Sequence, residues 1–311
     1  MEQLAEVMAS LGFSLAITQL AGGRLTGTVM PLSLGPLQLL RIRHNRAVHV
    51  DGAKPTGRQL FSLNLLDPRQ APPLRSHGNP MGAPTLFGLS PWGEIHVTVP
   101  EVCDLVLMSM DREAFHRWAD ELGCPHLDDR AFSTNWVDLD PQCFEGLRRY
   151  LLQLFSVAEA QPQLLREASW RRLALQDFGP LLITGLAAAV ELTPSWSRQP
   201  ARIELVKQVQ GWMAENPNLP ITLDDLCRQV YVSRRCLIQG FREHLGMGPM
   251  AYLKLQRLHG ARRFLLDADP AQTTVTAAAA TFGFLNSGHF ARDYRQLFGE
   301  LPSETLQACR R

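Results

Sequence analysis

Much that would mark an enzyme is missing from this 311-residue chain. It has no G-x-G-x-x-G, no G-x-x-x-x-G-K-[ST] and no recognisable Ser/His/Asp set, so neither a nucleotide cofactor nor an acyl-transfer nucleophile is signalled. Its six cysteines, at 103, 124, 143, 227, 236 and 309, include no C-x-x-C pair and no histidine at zinc-finger spacing. They read as scattered reduced thiols. No run approaches the roughly 18 apolar residues that would span a bilayer. The N-terminal MEQLAEVMASLGF carries two glutamates and no Lys or Arg, unlike a secretory signal. The expectation is therefore a cytoplasmic protein with no membrane partner, no cofactor and no metal.

Excess charge of either sign is also lacking: 31 Lys+Arg stand against 30 Asp+Glu. The balance hides an asymmetry. Residues 200–311 hold 14 basic and 10 acidic side chains, whereas residues 1–199 hold 17 and 20. A mildly basic C-terminal part on a mildly acidic partner fits nucleic-acid binding at one end.

What is present in the C-terminal part is a repeat. Ser233 is followed at four-residue intervals by Leu237, Phe241 and Leu245, then by Gly246 and Pro249. Fifty-three residues later, Asn286 is followed at the same offsets by Phe290, Tyr294, Phe298, Gly299 and Pro302. Each copy has a helix-capping residue, an apolar stripe of helical period and a closing glycine, with a proline beyond that stops the helix or starts the next. A short helix-like stretch precedes each copy, Leu223 to Val230 and Val275 to Phe282. Short helix, tight turn and capped second helix is helix-turn-helix grammar.

Upstream, residues 1–110 read as short strands: RLTGTVMPL, LQLLRIRH, RQLFSLNLL, EIHVTV and CDLVLMSM, with a Gly/Pro-rich break at 71–84. Helical sequence follows at 110–123, capped by Asp111 and closed by Gly123, at 141–160 and at 161–178, with PLLITGLAAAVEL as a further buried helix. TPSWSRQPAR (193–202) has linker composition. The fold class expected is α+β in two domains. Residues 1–192 form an effector-sensing or dimerisation domain, a small β-sandwich or barrel (1–110) with helices after it (111–192). A linker at 193–200 leads to an all-α domain at 201–311, with helices near 201–215, 222–230, 233–245, 249–267, 273–282, 286–298 and 302–308.

The stretches ITLDDLCRQVYVSRRCLIQGFREHLGMGPMAYLKLQRLHGARRFLL and TTVTAAAATFGFLNSGHFARDYRQLFGELPSETL resemble the AraC/XylS family of bacterial transcription regulators, over about a third of the chain. VSRR, FREHLGMGPMAYL, GF at 283–284, HFARDY and LFGELPSETL stand in that family's order and spacing, and the wording is similar to the ethanolamine-operon regulator branch. The resemblance implies seven helices, with two helix-turn-helix units joined by the long helix near 249–267. It also implies a protein that binds double-stranded DNA, RNA polymerase as a further partner, and an N-terminal part that senses a small-molecule effector or forms a homodimer. The sequence departs from the family at Tyr231, where a turn glycine is usual, at Gly240 inside the first recognition helix, and in the sparse bulk of AAAATF.

A recognition helix presents its N-terminal residues to base edges and packs its apolar stripe inward. In the first unit Leu237 and Phe241 face the core, which turns Ser233, Arg234, Arg235, Ile238, Gln239 and Arg242 outward. In the second, Phe290 and Tyr294 face inward, which turns Asn286, Ser287, Gly288, His289 and Arg292 outward. Arg235 has the geometry for guanine and Gln239 for adenine, Ile238 offers apolar contact, and Arg292 is the candidate base reader of the second unit.

Other function classes fare worse. A cupin-type metal enzyme needs a compact His/Glu cluster, but His44, His49, His77 and His96 are spread along the chain and read as surface or hydrogen-bonded side chains. A DNA-repair protein fused to a DNA-binding domain would need a reactive cysteine in a tight motif, and Cys124-Pro125-His126 has the wrong order. An interaction protein that has lost DNA binding sits poorly with exposed Arg234, Arg235 and Arg292. The apolar faces of 141–192, with Leu151, Leu152, Leu154, Phe155, Leu164, Leu165 and Leu173, fit either a dimer interface or a core packed on the β-domain.

Overall fold

The computed structural model describes residues 2–90, 93–132, 134–192 and 202–308. After helix α1 (Glu2–Ser10), eleven strands follow: β1 (Ser14–Gln19), β2 (Gly27–Leu34), β3 (Leu37–His44), β4 (Val48–Ala53), β5 (Arg58–Asn64), β6 (Leu74–Ser76), β7 (Asn79–Met81), β8 (Thr85–Phe87), β9 (Ile95–Val99), β10 (Cys103–Asp111) and β11 (Trp136–Asp138). They form two sheets, β1-β4-β9-β6-β7 and β11-β8-β5-β10-β3-β2, in which every pairing is antiparallel. This is the β-sandwich expected from the sequence.

Both faces of the six-stranded sheet are covered, which is why its strands read as nearly continuous apolar runs. Alternation along β10 divides the residues between two cores. Val106, Met108 and Met110 face the helical layer, and Leu107 faces the other sheet with Leu40 and Leu60. The helical layer is α2 (Arg112–Glu121), α3 (Pro141–Ala160) and α4 (Ala168–Leu192). Asp111 caps α2 by accepting from the Ala114 N–H at 2.9 Å, and Asp140 caps α3. Phe115, Phe144, Leu147, Leu151, Phe155, Phe178, Leu182, Ile183 and Leu186 fill the space against the sheet.

Several details differ from the sequence reading. Strands β6 and β7 lie inside the Gly/Pro-rich break, β11 falls in the region read as helical, and α1 precedes the strands. Two separate helices were expected at 161–178 and beyond; instead a 3-10 turn (Pro162–Arg166) leads into one continuous α4 that runs through Pro180. An internal proline costs about 3 kcal/mol, and burial of Phe178, Leu182, Ile183 and Leu186 on both sides of it offsets that cost. By length and composition α4 could cross a membrane, but these same residues are core. Leu151, Leu154 and Phe155 are also core, while Leu173 is 58% exposed.

The linker expected at 193–200 lies outside the described residues. Beyond it come α5 (Ile203–Glu215), α6 (Leu223–Gln229), α7 (Arg234–Leu245), α8 (Pro249–Asp267), α9 (Val275–Thr281), α10 (Ser287–Phe298) and α11 (Pro302–Ala308), the seven helices expected. They enclose two separate cores, one built on Leu226, Leu237, Phe241 and Tyr252, the other on Ala278, Phe290, Tyr294 and Phe298, with α8 contributing to both.

Candidate nucleic-acid interface

The two recognition helices, α7 and α10, are built alike. Ser233 accepts from the Cys236 N–H at 3.3 Å, and Asn286 accepts from the His289 N–H at 2.9 Å. Gly246 and Gly299 close the helices in the left-handed conformation, at φ of 74° and 76°. Leu237 and Phe241 are fully buried, as are Phe290 and Tyr294. The inward stripe is therefore the one the spacing requires.

The outward residues divide by what already holds them. Arg234 forms a paired contact with Asp224 of α6, Nε lying 2.6 Å from Oδ1. The neighbouring guanidinium holds the Asp224 carboxyl below its ordinary range. Arg234 thus ties the first helix of the unit to the second. Gln239 donates to Glu243 at 2.9 Å, and Ile238 is half-buried. Ser233 and Asn286 are engaged as caps. Arg235, Arg242, Ser287, His289 and Arg292 are exposed. Among the described residues no ion pair holds Arg235 or Arg242. Asp293, 4.0 Å from Arg292, is held more closely by Lys254 at 2.7 Å.

The departures noted in the sequence have physical explanations. Tyr231 occupies the turn at φ 54° and is 95% exposed, so it carries the strain a glycine would avoid. In the second unit Gly283 takes the same conformation at φ 74°. Gly240 is where α5 approaches α7, and a Cβ there would lie 3.3 Å from Val206 and 3.4 Å from Arg202. The sparse α9 is backed by aromatic side chains, with Phe284, Phe290, Tyr294 and Phe298 in successive ring contacts. A Cβ on Gly260 of α8 would lie 2.4 Å from Phe282, so that glycine makes room for the ring.

A second constellation was not visible in the sequence. Of the two readings, surface or hydrogen-bonded, His49, His77 and His96 take the second: they are buried, each within hydrogen-bond distance of a polar side chain, and they meet His244 of α7 where the β-domain docks on the helices. His49 and His96 have ring centroids 4.4 Å apart. His96 Nε2 lies 3.2 Å from Gln210 Oε1, and the Gln210 amide donates to the Tyr252 hydroxyl at 2.8 Å. Burial lowers all four imidazoles, His77 and His96 to about 4. Among the described residues no group of three His, Cys, Asp or Glu is placed to hold a metal ion. His44 lies apart, half-buried at the end of β3, and burial lowers its imidazole as well.

Comparison with known proteins agrees with this geometry. Residues 226–308 match a family model described as a helix-turn-helix domain. Over 212 residues the chain is 32% identical to a probable thc operon regulatory protein of Rhodococcus erythropolis, covering 67% of this chain and 62% of that protein. Over 105 residues it is 35% identical to a XylDLEGF operon transcriptional activator of Pseudomonas putida, covering 34% of this chain and 33% of that one. The chain thus spans less than two thirds of these relatives. It is also 46% identical to a solved probable AraC family transcriptional regulator from Rhodopseudomonas palustris CGA009, covering 34% of this chain and 97% of that one, with a TM-score of 0.32. The double helix-turn-helix domain of this chain is thus similar to the DNA-binding part of AraC/XylS-type transcription regulators.

Proposed function

We propose that this protein is a sequence-specific regulator of transcription whose single protomer contacts two successive major grooves. The observation that carries this reading is the pair of capped helices 53 residues apart, each with an exposed first turn and an arginine available to DNA. The outward residues differ between the two, so the half-sites differ and the site spans about 20 bp, two helical turns. Arg235 reads bases in one half and Arg292 in the other. Arg234, engaged with Asp224, braces the first unit.

The partner is double-stranded DNA, with RNA polymerase as the machinery addressed, and the protein works in the cytoplasm without catalysing a reaction. Residues 1–192 respond to a small-molecule effector, and 201–311 bind DNA. An effector site is supported by a cavity of about 100 Å³ between the two sheets, lined by Ile42, Leu60, Phe87, Leu105 and Leu107 beside Lys54. Burial pushes that ammonium down to about 8. Exposed Leu173 and Leu181 on α4 leave an apolar strip for a second copy of the chain.

Binding-site selection on the wild type, Arg235→Ala and Arg292→Ala tests the assignment. Each substitution is expected to relax base choice in one half only, at about 1–3 kcal/mol for a bidentate contact. Unchanged preferences, with affinity lowered uniformly and the salt slope reduced by about one, would make these side chains phosphate clamps instead.

A further inference from the structure

The last four carbonyls of a helix lack intrahelical partners. In both recognition helices, two of them are occupied by the same outside source. At the end of α7, the Glu243 carbonyl accepts from the Arg75 guanidinium at 3.3 Å and the His244 carbonyl from the Thr98 hydroxyl at 2.9 Å. At the end of α10, the Gln296 carbonyl accepts from the Gly23 N–H at 2.8 Å and the Leu297 carbonyl from the Gln19 side-chain amide at 2.7 Å. Glu243 and Gln296 are equivalent positions of the 53-residue repeat, and so are His244 and Leu297. All four donors belong to the five-stranded sheet or the loop leaving its first strand.

The local sequence is suited to this contact. A Cβ on Gly22 would lie 2.9 Å from the Gln296 carbonyl oxygen, and a Cβ on Gly299 would lie 3.0 Å from the Arg24 nitrogen, so the loop reaches the helix end only because both are glycines. The Gln19 amide nitrogen also lies 2.7 and 2.6 Å from the Ala21 and Gly23 carbonyls, which binds strand end, loop and helix end together. His259 of α8 meets the Gln19 backbone at 3.1 Å, and Lys207 of α5 pairs with Glu94 at 2.8 Å. Donors, including one guanidinium, at a helix C-terminus also complement its partial negative charge.

We propose that the β-domain is a clamp that sets the relative position of the two recognition helices, with Gln19, Gly23, Arg75 and Thr98 as positioning residues for DNA reading. This rests on the two-groove reading above. The base-reading turn of α7 lies about 12 Å from its held end, so a small pivot at the clamp shifts the turn that enters the groove. The half-site spacing accepted by the protein is therefore a property of the whole chain. The β-domain is placed to change that spacing without touching DNA.

The test uses the full chain, the wild type and a Gln19→Leu/Thr98→Val variant, on the selected site and on versions with 1 or 2 bp inserted between the halves. The wild type is expected to lose at least tenfold in affinity on a 2 bp insertion. The variant should bind original and inserted sites within threefold of each other and keep the base preference of each half. Arg75→Ala, an exposed position, should shift the profile the same way by a smaller factor and provides the result if the double variant does not fold. A spacing profile unchanged in every folded variant, or a wild type indifferent to spacing, would overturn the clamp. A wild type that selects no sequence would instead remove the two-groove reading itself.

Discussion

Moving the protein from pH 7 to pH 5 is expected to lower its unfolding free energy by on the order of 4 kcal/mol. The cause lies at the contact between the two domains. Burial holds His77, His96 and His259 down at about 4, against about 6.5 for a free imidazole. Between those values the unfolded chain binds more protons than the folded one, so stability falls as pH drops from about 6.5 toward 4. At pH 5 each ring contributes a loss of about 2 kcal/mol. Asp51 acts in the opposite direction. Burial raises its carboxyl to about 6, so the folded state takes up its proton first and gains as pH falls through that value. Its side chain is 39% exposed, and after screening its offset is about 1 kcal/mol or less.

The charged groups around these rings do not reverse the sign. Lys207 and Lys54 oppose protonation of His77; Arg75, Arg202 and Lys207 oppose that of His244, against which Glu243 acts; and Arg262 and Arg263 oppose that of His259. Urea unfolding at pH 7 and pH 5, on the wild type and on His96→Gln, measures the effect. The wild type should lose stability on acidification and the variant should lose less. Equal stability at both pH values would mean that the imidazoles are not held neutral by the fold.

Phe290→Ala is expected to cost about 3–5 kcal/mol and to abolish one half of the DNA footprint while sparing the other. Phe290 is fully buried, and its ring contacts Phe284 and Tyr294. The α9 that it covers contributes only Ala278 and Ala279 as fully buried side chains, so little nearby can collapse into the space left. The first unit has its own core around Leu237, Phe241 and Tyr252, which this substitution does not touch. Footprinting the variant should show protection retained in the half-site proposed for α7 and lost in the half-site proposed for α10. Loss of both halves at once would mean that the two units fold as a single one.

The contrast between these two sites explains what was legible in the sequence. Phe241 and Phe290 were readable because local physics fixes them: a cap, a four-residue period and a closing glycine all act within about a dozen residues. Strands β3, β5, β9 and β10 were readable for the same reason. The histidine contact was not, because His49, His77, His96 and His244 are brought together by sheet order and domain docking, neither of which leaves a local pattern. Gln19 lies in a strand that the sequence reading did not single out, and its partner is 278 residues away. Residues 161–178 and PLLITGLAAAVEL read as two helices, and burial along α4 joins them through Pro180. Arg234 read only as an outward residue of the recognition helix, because its contact with Asp224 ten residues before it leaves no local pattern.

Hydroxyl-radical footprinting of the full chain on its selected site tests the two-groove account most directly. Two protected segments are expected on one face of the duplex, about 34 Å or one helical turn apart, with different sequences in the two halves and one protomer bound. A single symmetric protected segment of about 10 bp per protomer would contradict it.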